Sequence, residues 1–313
     1  MVRITDRTLS CLDAYKPDEK LAFTLAELLL SAGIDLLELS EGIYRALSGR
    51  ISRDRLVIRL ENGASSLKYP EIRRFVCRKN NSEDTRILTE IQANDIREIN
   101  LLTQYSRIEN VRICGLDDLL LISSENTFGQ LKSRIHGRIE LCPENSYGLA
   151  SANAVEWILQ GNTDVVTAFS GIGGFAATEE VLIALRSEIR YKPNQPYTVF
   201  PKIKKLLEKI TNTQTAPKKA VIGDDIFCVE AGIHVDGINK SPKNYEPFPP
   251  ELVGRERSFV TGKHSGKRAV FLKMKELDID CTSTNFAALL EKIKRTSIEK
   301  NGSLTDEEFC SLL

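Results

Sequence analysis

Apolar and polar positions along the first 190 residues follow two alternating periods. Short runs rich in branched apolar residues predict strands at 34–39, Leu56–Leu60, 138–142 and 164–169. Between some of them lie stretches with a helical period. Over 20–32, Leu21, Leu25, Leu28 and Leu29 share one face, and Gly33 ends the helix. A second helix is predicted over 150–160 and stopped by Gly161. Strands alternating with helices of this length predict βα units and a parallel sheet. Between Glu61 and Leu131 neither period stands out.

The pattern breaks at 193–196, between Pro193 and Pro196. A basic amphipathic helix follows over 200–210, and the polar stretch 211–219 reads as a linker. Beyond it the pattern is helical, over 267–277 and 284–298. A last short helix is opened by Thr305, with Glu308 completing a capping box. The chain therefore divides into an α/β domain over 1–215 and a linker with a smaller, mostly helical domain over 216–313.

At 313 residues the chain can bury a full core. Its 43 Lys and Arg balance 43 Asp and Glu, so no net field favours nucleic acid or an anionic membrane. No run reaches the ~18 apolar residues needed to span a bilayer. The start, MVRITDRTLS, is charged where a signal peptide is apolar. The seven Cys form no CxxC pair, which fits reduced thiols in a cytoplasmic protein.

The densest chemistry lies in Phe227 to Gly266, which holds His234, Tyr245 and the turn Gly262-Lys263-His264-Ser265-Gly266. A His titrates near neutrality and can act as a base, and a nearby Tyr can orient or relay a proton. His234 and Tyr245 are eleven residues apart across an Asn/Lys/Pro turn, so they meet only through that turn. The same pair is equally an ordinary packing contact. Lys263 and His264, just ahead of a helix start, suit an anion or else form a structural turn. Pro247, Pro249 and Pro250 stiffen 246–252, as in a lid, an arm to another subunit or a rigid linker. Gly171-Ile172-Gly173-Gly174 lacks the spacing of a phosphate loop and reads as a tight turn. His136 reads as a surface residue.

Three motifs of this segment resemble those of homocitrate synthases, close kin of isopropylmalate synthases. They are Ala231-Gly232-Ile233-His234-Val235-Asp236-Gly237, Asn244-Tyr245-Glu246 and the Gly262 to Gly266 turn. The resemblance extends over nearly the whole chain. It implies a TIM (β/α)8-type barrel followed by a small helical lid, with His234 and Tyr245 as acid/base residues. It further implies that Lys263, His264 and Ser265 hold a phosphate of coenzyme A. Family alignment places Thr8 after strand one and Cys142 on strand six. Five units between them should take ~150 residues, and this chain has fewer. A barrel trimmed or short of a unit is therefore expected.

The barrel half departs from the family. The motif D-x-T-L-R-D-G, with a substrate Arg and a metal-binding Asp, is matched by Asp6-Arg7-Thr8-Leu9-Ser10-Cys11-Leu12. The motif H-x-H-N, with two metal-binding His, is matched by Cys142-Pro143-Glu144-Asn145. The family's metal-binding Asn falls on Thr178, and an Arg of the same motif falls on Phe175. All four ligand positions are changed, so no cofactor is expected in this chain.

Metal positions lost and lid positions kept imply a lid-donating, omega-type subunit of a split homocitrate synthase. An alpha-type partner with an intact metal-binding barrel is then expected to carry the divalent metal and 2-oxoglutarate, and the pair to use acetyl-CoA. The wording of the lid resembles the nitrogen-fixation branch more than the lysine branch. Two alternatives stay open. One is a stand-alone enzyme with zinc on Cys11, Cys142 and Glu144. The other is a non-catalytic regulatory or assembly partner of an active homologue.

Overall fold

The computed structural model describes residues 1–47, 49–94, 98, 110–116, 124–135, 137–230, 234, 237–238, 240–282 and 284–313. His136 lies outside them. The chain forms two compact units, one of 1–216 with 220–222 and one of 217–219 with 223–313.

The first unit is a closed barrel of eight parallel strands. They are β1 (Arg3–Asp6), β2 (Leu36–Ser40), β3 (Leu56–Leu60), β4 (Phe75–Cys77), β5 (Ile87–Ala93), β6 (Asn110–Gly115), β7 (Arg138–Pro143) and β8 (Asp164–Thr167). The register closes where β8 meets β1, with Val165 opposite Ile4. No strand is missing, which corrects the expectation of a lost unit. Cys142 lies on the seventh strand, not the sixth.

The saving in length is in the outer layer. β3 and β4 are joined by a 3-10 turn, Gly63–Lys68, and β4 and β5 by a loop, with no α-helix in either crossover. The strand β4 is three residues long, too short to show a period of two in the sequence. Elsewhere the helices follow the sequence pattern. Glu19–Ser31 is capped by the Asp18 side chain accepting from the Leu21 amide. It buries Ala22, Leu25, Ala26 and Leu29. Ala150–Leu159 buries Trp157, whose indole N–H donates to the Asp164 carbonyl at 2.9 Å. Thr178–Ile189 and Phe200–Thr211 complete this part of the outer layer.

A two-residue step along each strand separates the layers of the lumen. Leu36, Val57, Val76 and Leu88 form an apolar cluster. Two residues further along the same faces come Glu38, Arg59, Arg78 and Glu90, which bond to one another.

In the second unit, Lys267–Glu276, Phe286–Lys300 and Asp306–Ser311 pack around Val270, Met274, Leu289, Ile293, Leu304 and Phe309. Thr305 and Glu308 make the expected reciprocal capping box. A two-stranded parallel pair, Cys228–Val229 and Ser258–Phe259, ties the start of this unit to its middle. Among the described residues no helix is long and apolar enough to cross a membrane.

Candidate functional site: a filled barrel mouth and an exposed His-Tyr pair

The C-terminal ends of barrel strands are where TIM barrels place their chemistry. Here that end is occupied by the protein's own side chains. Arg7 follows β1 and lies almost wholly buried. Its guanidinium sits 3.9 Å from the centre of the Phe175 ring, and its Nη1 donates to Cys142 Sγ at 3.2 Å. Its Nε lies 3.7 Å from the Glu38 carboxylate. Phe175 in turn packs on Cys114, Cys142 and Val166.

Beneath this plug runs a buried ion network. Arg112, fully buried on β6, pairs with Glu38 across the lumen and with Glu140 at 2.7 Å. Arg59 bridges Glu38 at 2.7 Å and Glu90 at 2.5 Å. Burial pushes the Glu38 carboxyl up, but Arg112, Arg59 and Arg7 together hold it well below the carboxylate range. Glu90 is likewise driven up by burial and down, to about 2, by the Arg59 guanidinium. Glu38, Glu90 and the arginines that hold them are therefore charged at neutral pH. Their mutual pairing offsets the cost of burying them.

The four family ligand positions do not converge on an ion. Cys142 accepts from Arg7. Thr178 Oγ1 donates to Asp6 Oδ2 and shares a hydrogen bond with Thr167 Oγ1 at 2.7 Å. Glu144 accepts from the Gln92 amide at 3.0 Å. Burial pushes the Cys11 thiol up to about 12, so in the absence of a metal it carries its proton at pH 7. Among the described residues no three His, Cys, Asp or Glu side chains are grouped to hold a metal. The donor set thus fits neither a hard divalent ion nor the zinc alternative on Cys11, Cys142 and Glu144. Ser10, at the position of the family's substrate Arg, donates to Glu38 at 2.8 Å.

Neither Arg7 nor the lumen network was singled out from the sequence. A signal was present. Glu38, Arg59, Glu90, Arg112 and Glu140 each stand inside a strand that is mostly apolar. Parallel strands buried on both faces leave such charges no route to solvent, so they must pair inside.

The second unit brings His234 and Tyr245 together. Their rings lie 5.9 Å apart, centre to centre, at 51°. The turn between them does this. Ser241 donates to the Gly237 carbonyl at 2.8 Å, and the 3-10 turn Pro242–Asn244 reverses the chain. Tyr245 then lies on Gly237 so closely that a Cβ there would sit 2.2 Å from the ring. The glycine of one motif thus makes room for the tyrosine of the next. Glu246 anchors the stiff proline segment through a two-pronged pair with Arg257, at 2.7 and 2.8 Å. His234 is exposed, and Tyr245 is 47% exposed. Ala231, Gly232, Ile233, Val235 and Asp236 of the first motif lie outside the described residues.

The Gly262 to Gly266 turn is held from within. Ser265 is buried; its Oγ accepts from the Gly262 amide at 2.9 Å and donates to the Glu230 carbonyl. The Lys263 amide donates to Ser297 Oγ at 3.0 Å and the His264 amide to the Glu230 carboxylate at 2.6 Å. The side chains of Lys263 and His264 point their charge and ring to solvent as exposed groups. A phosphate at this turn would therefore be met by these two side chains, while the turn's amides and Ser265 serve its own geometry.

Comparison with known proteins agrees with both halves. Residues 221–301 match the family model described as homocitrate synthase post-HMGL domain-like. The chain is similar to the homocitrate synthase omega subunit of Clostridium pasteurianum, 34% identical over 79% of this chain and 72% of that protein. It is 37% identical to homocitrate synthase AksA of Methanothermobacter thermautotrophicus over 58% of this chain, spanning 46% of that relative. Homocitrate synthase 1 of Nostoc is 31% identical over 70% of this chain and 59% of its own length. Among solved structures, HMG-CoA lyases share the barrel fold. That of Brucella melitensis matches with TM-score 0.51 and 11% identity over 68% of this chain and 99% of its own. That of Acinetobacter baumannii matches with TM-score 0.52 and 12% identity over 69% and 92%. On the extent of the match to the omega subunit, this chain belongs to the homocitrate synthase family.

Proposed function

We propose that this chain is the lid-donating subunit of a two-chain homocitrate synthase, which joins acetyl-CoA to 2-oxoglutarate and releases homocitrate and CoA. One observation carries the reading. The barrel mouth is filled by Arg7 and Phe175, whereas His234 and Tyr245 are paired and exposed. Arg7, Phe175 and Cys142 bond to and pack on one another where the family holds its metal and keto acid. A paired His and Tyr on the surface suits completing a site in another chain.

In this reading His234 takes a proton from the methyl group of acetyl-CoA. The resulting carbon nucleophile bonds to the keto carbon of 2-oxoglutarate, and water then cleaves the thioester to a carboxylate and the CoA thiol. Tyr245, held on Gly237, orients the imidazole and relays the proton. Lys263 and His264 attract the phosphates of acetyl-CoA. The 2-oxo acid and its divalent metal belong to the barrel of an alpha-type partner. The wording of the lid resembles the nitrogen-fixation branch more than the lysine branch, and in this reading the complex works in the cytoplasm.

The test is to assay CoA release with 2-oxoglutarate for the chain alone, for a full-barrel homologue alone and for the two together. Activity is expected from the pair. A normal rate from the purified single chain would refute the reading. A purely regulatory partner would also stimulate the homologue, but its His234→Ala form would stimulate equally well.

A further inference from the structure

The opposite, N-terminal mouth of the barrel carries a feature unrelated to the lid. Arg3 and Arg138 come together there across Asp164, with Arg74 near enough for their charges to act on it. Arg3 starts β1, Arg138 starts β7, and Arg74 immediately precedes β4. By the two-residue period of a strand, Arg3 and Arg138 share the inward face with Thr5 and Glu140, which meet inside the barrel at 2.9 Å. A crevice opens at this end, lined by Arg3, Arg138, Lys132, Asp164, Thr163 and Gly137 among others.

Among the described residues, basic groups outnumber carboxylates around it. Asp164 is the carboxylate between the arginines, accepting from Arg3 Nε at 2.7 Å and from Arg138 Nη2 at 2.9 Å. Its other oxygen accepts from Thr163 Oγ1 at 2.7 Å. Glu140 lies deeper, 3.8 Å from Arg138 Nη2, and is already paired with Arg112. Among the described residues, Lys132 donates to the Gln160 carbonyl at 3.4 Å. Arg74 donates to the Asp54 carbonyl, while the Asp54 carboxylate pairs with Arg73. Among the described residues, Asp164 is thus saturated by Arg3, Arg138 and Thr163, while Glu140 and Asp54, the other carboxylates nearby, are engaged by Arg112 and Arg73. Arg138 Nε is buried and lacks a protein acceptor. Burial and the charges of Arg3 and Arg138 together depress the Arg74 pKa, so the like charges feel one another.

We propose that this mouth is a binding site for a small phosphate-class dianion, inorganic phosphate or a phosphomonoester, held by Arg3, Arg74 and Arg138. Guanidinium groups offer paired donors that match phosphate oxygens, and a dianion would neutralise the excess charge.

Isothermal titration calorimetry on the full chain, at fixed ionic strength, tests this with inorganic phosphate in one arm and glycerol phosphate in the other. Saturable one-to-one binding is expected in at least one arm, and the tighter arm identifies the source of the anion. Arg138→Gln should weaken it by about ten-fold or more, with an unchanged circular dichroism spectrum. Arg74→Gln, which leaves the Arg3–Asp164–Arg138 bridge intact, should also weaken it and covers the case in which Arg138→Gln does not fold. No saturable heat in either arm, or equal affinity in the folded variants, would overturn the proposal.

Discussion

Residue-level behaviour follows from where the charges sit. Arg112 compensates three carboxylates in a lumen that excludes water. Arg112→Met removes the nearest cation from Glu140 and one of several partners from Glu38 and Glu90, and urea denaturation should show a loss of roughly 3–5 kcal/mol. Acid has a readable effect as well. Burial raises the Asp6 carboxyl from its ordinary 3.8 to about 6. The folded state then holds its proton more tightly than the unfolded chain, so Asp6 lowers stability as pH rises from about 4 to about 6. The size is on the order of 3 kcal/mol. Glu38 and Glu90 have the opposite sign. Their contribution is present above about pH 4.5 and is lost as pH falls towards 2. Stability profiles of wild type and Asp6→Asn should therefore diverge between pH 4 and 6, wild type losing stability relative to the variant. Parallel profiles would show that Asp6 does not titrate there. In the second unit, His234→Ala should reduce the rate of the proposed two-chain enzyme by at least ~100-fold without weakening assembly. Gly237→Ala should lower the rate too, because a methyl group there displaces Tyr245.

Elements were legible where they are long and regularly patterned. The strand Leu56–Leu60 coincides with the sequence reading, and the helix 150–160 ends one residue earlier, at Leu159. The capping box at Thr305 is local chemistry, two reciprocal bonds within four residues, and is therefore written in the sequence. Thr305→Ala should destabilise the last helix by about 1 kcal/mol, visible as faster amide exchange over Asp306–Ser311. Strand β4 and its crossovers were not legible. Three residues cannot display a period, and crossovers without helices carry no helical pattern. The missing outer helices then made the barrel look one unit short.

For the whole molecule, the closed barrel and the helical unit follow the family, while their chemistry has parted company. The first unit retains the architecture of a condensing enzyme and has filled its mouth. The second keeps a paired His and Tyr on its surface. Co-expression with a full-barrel homologue should yield a complex on size-exclusion chromatography. Restoring the family residues by Cys11→Asp, Cys142→His, Glu144→His and Thr178→Asn should not confer manganese binding while Arg7 and Phe175 remain.

Hydrophobic periodicity, cap chemistry and the family motifs already specified a parallel barrel, a helical tail and the loss of the metal ligands, because each is encoded within a few neighbouring residues. What replaced those ligands was settled by folding. Arg7, Phe175 and Cys142 are far apart along the chain and adjacent only once eight strands close. The same holds for Glu38 and Arg112, and for His234 against Tyr245 across their turn. A charge inside an apolar strand announces that a partner is needed; which residue answers depends on strand order and register, and those are properties of the closed sheet.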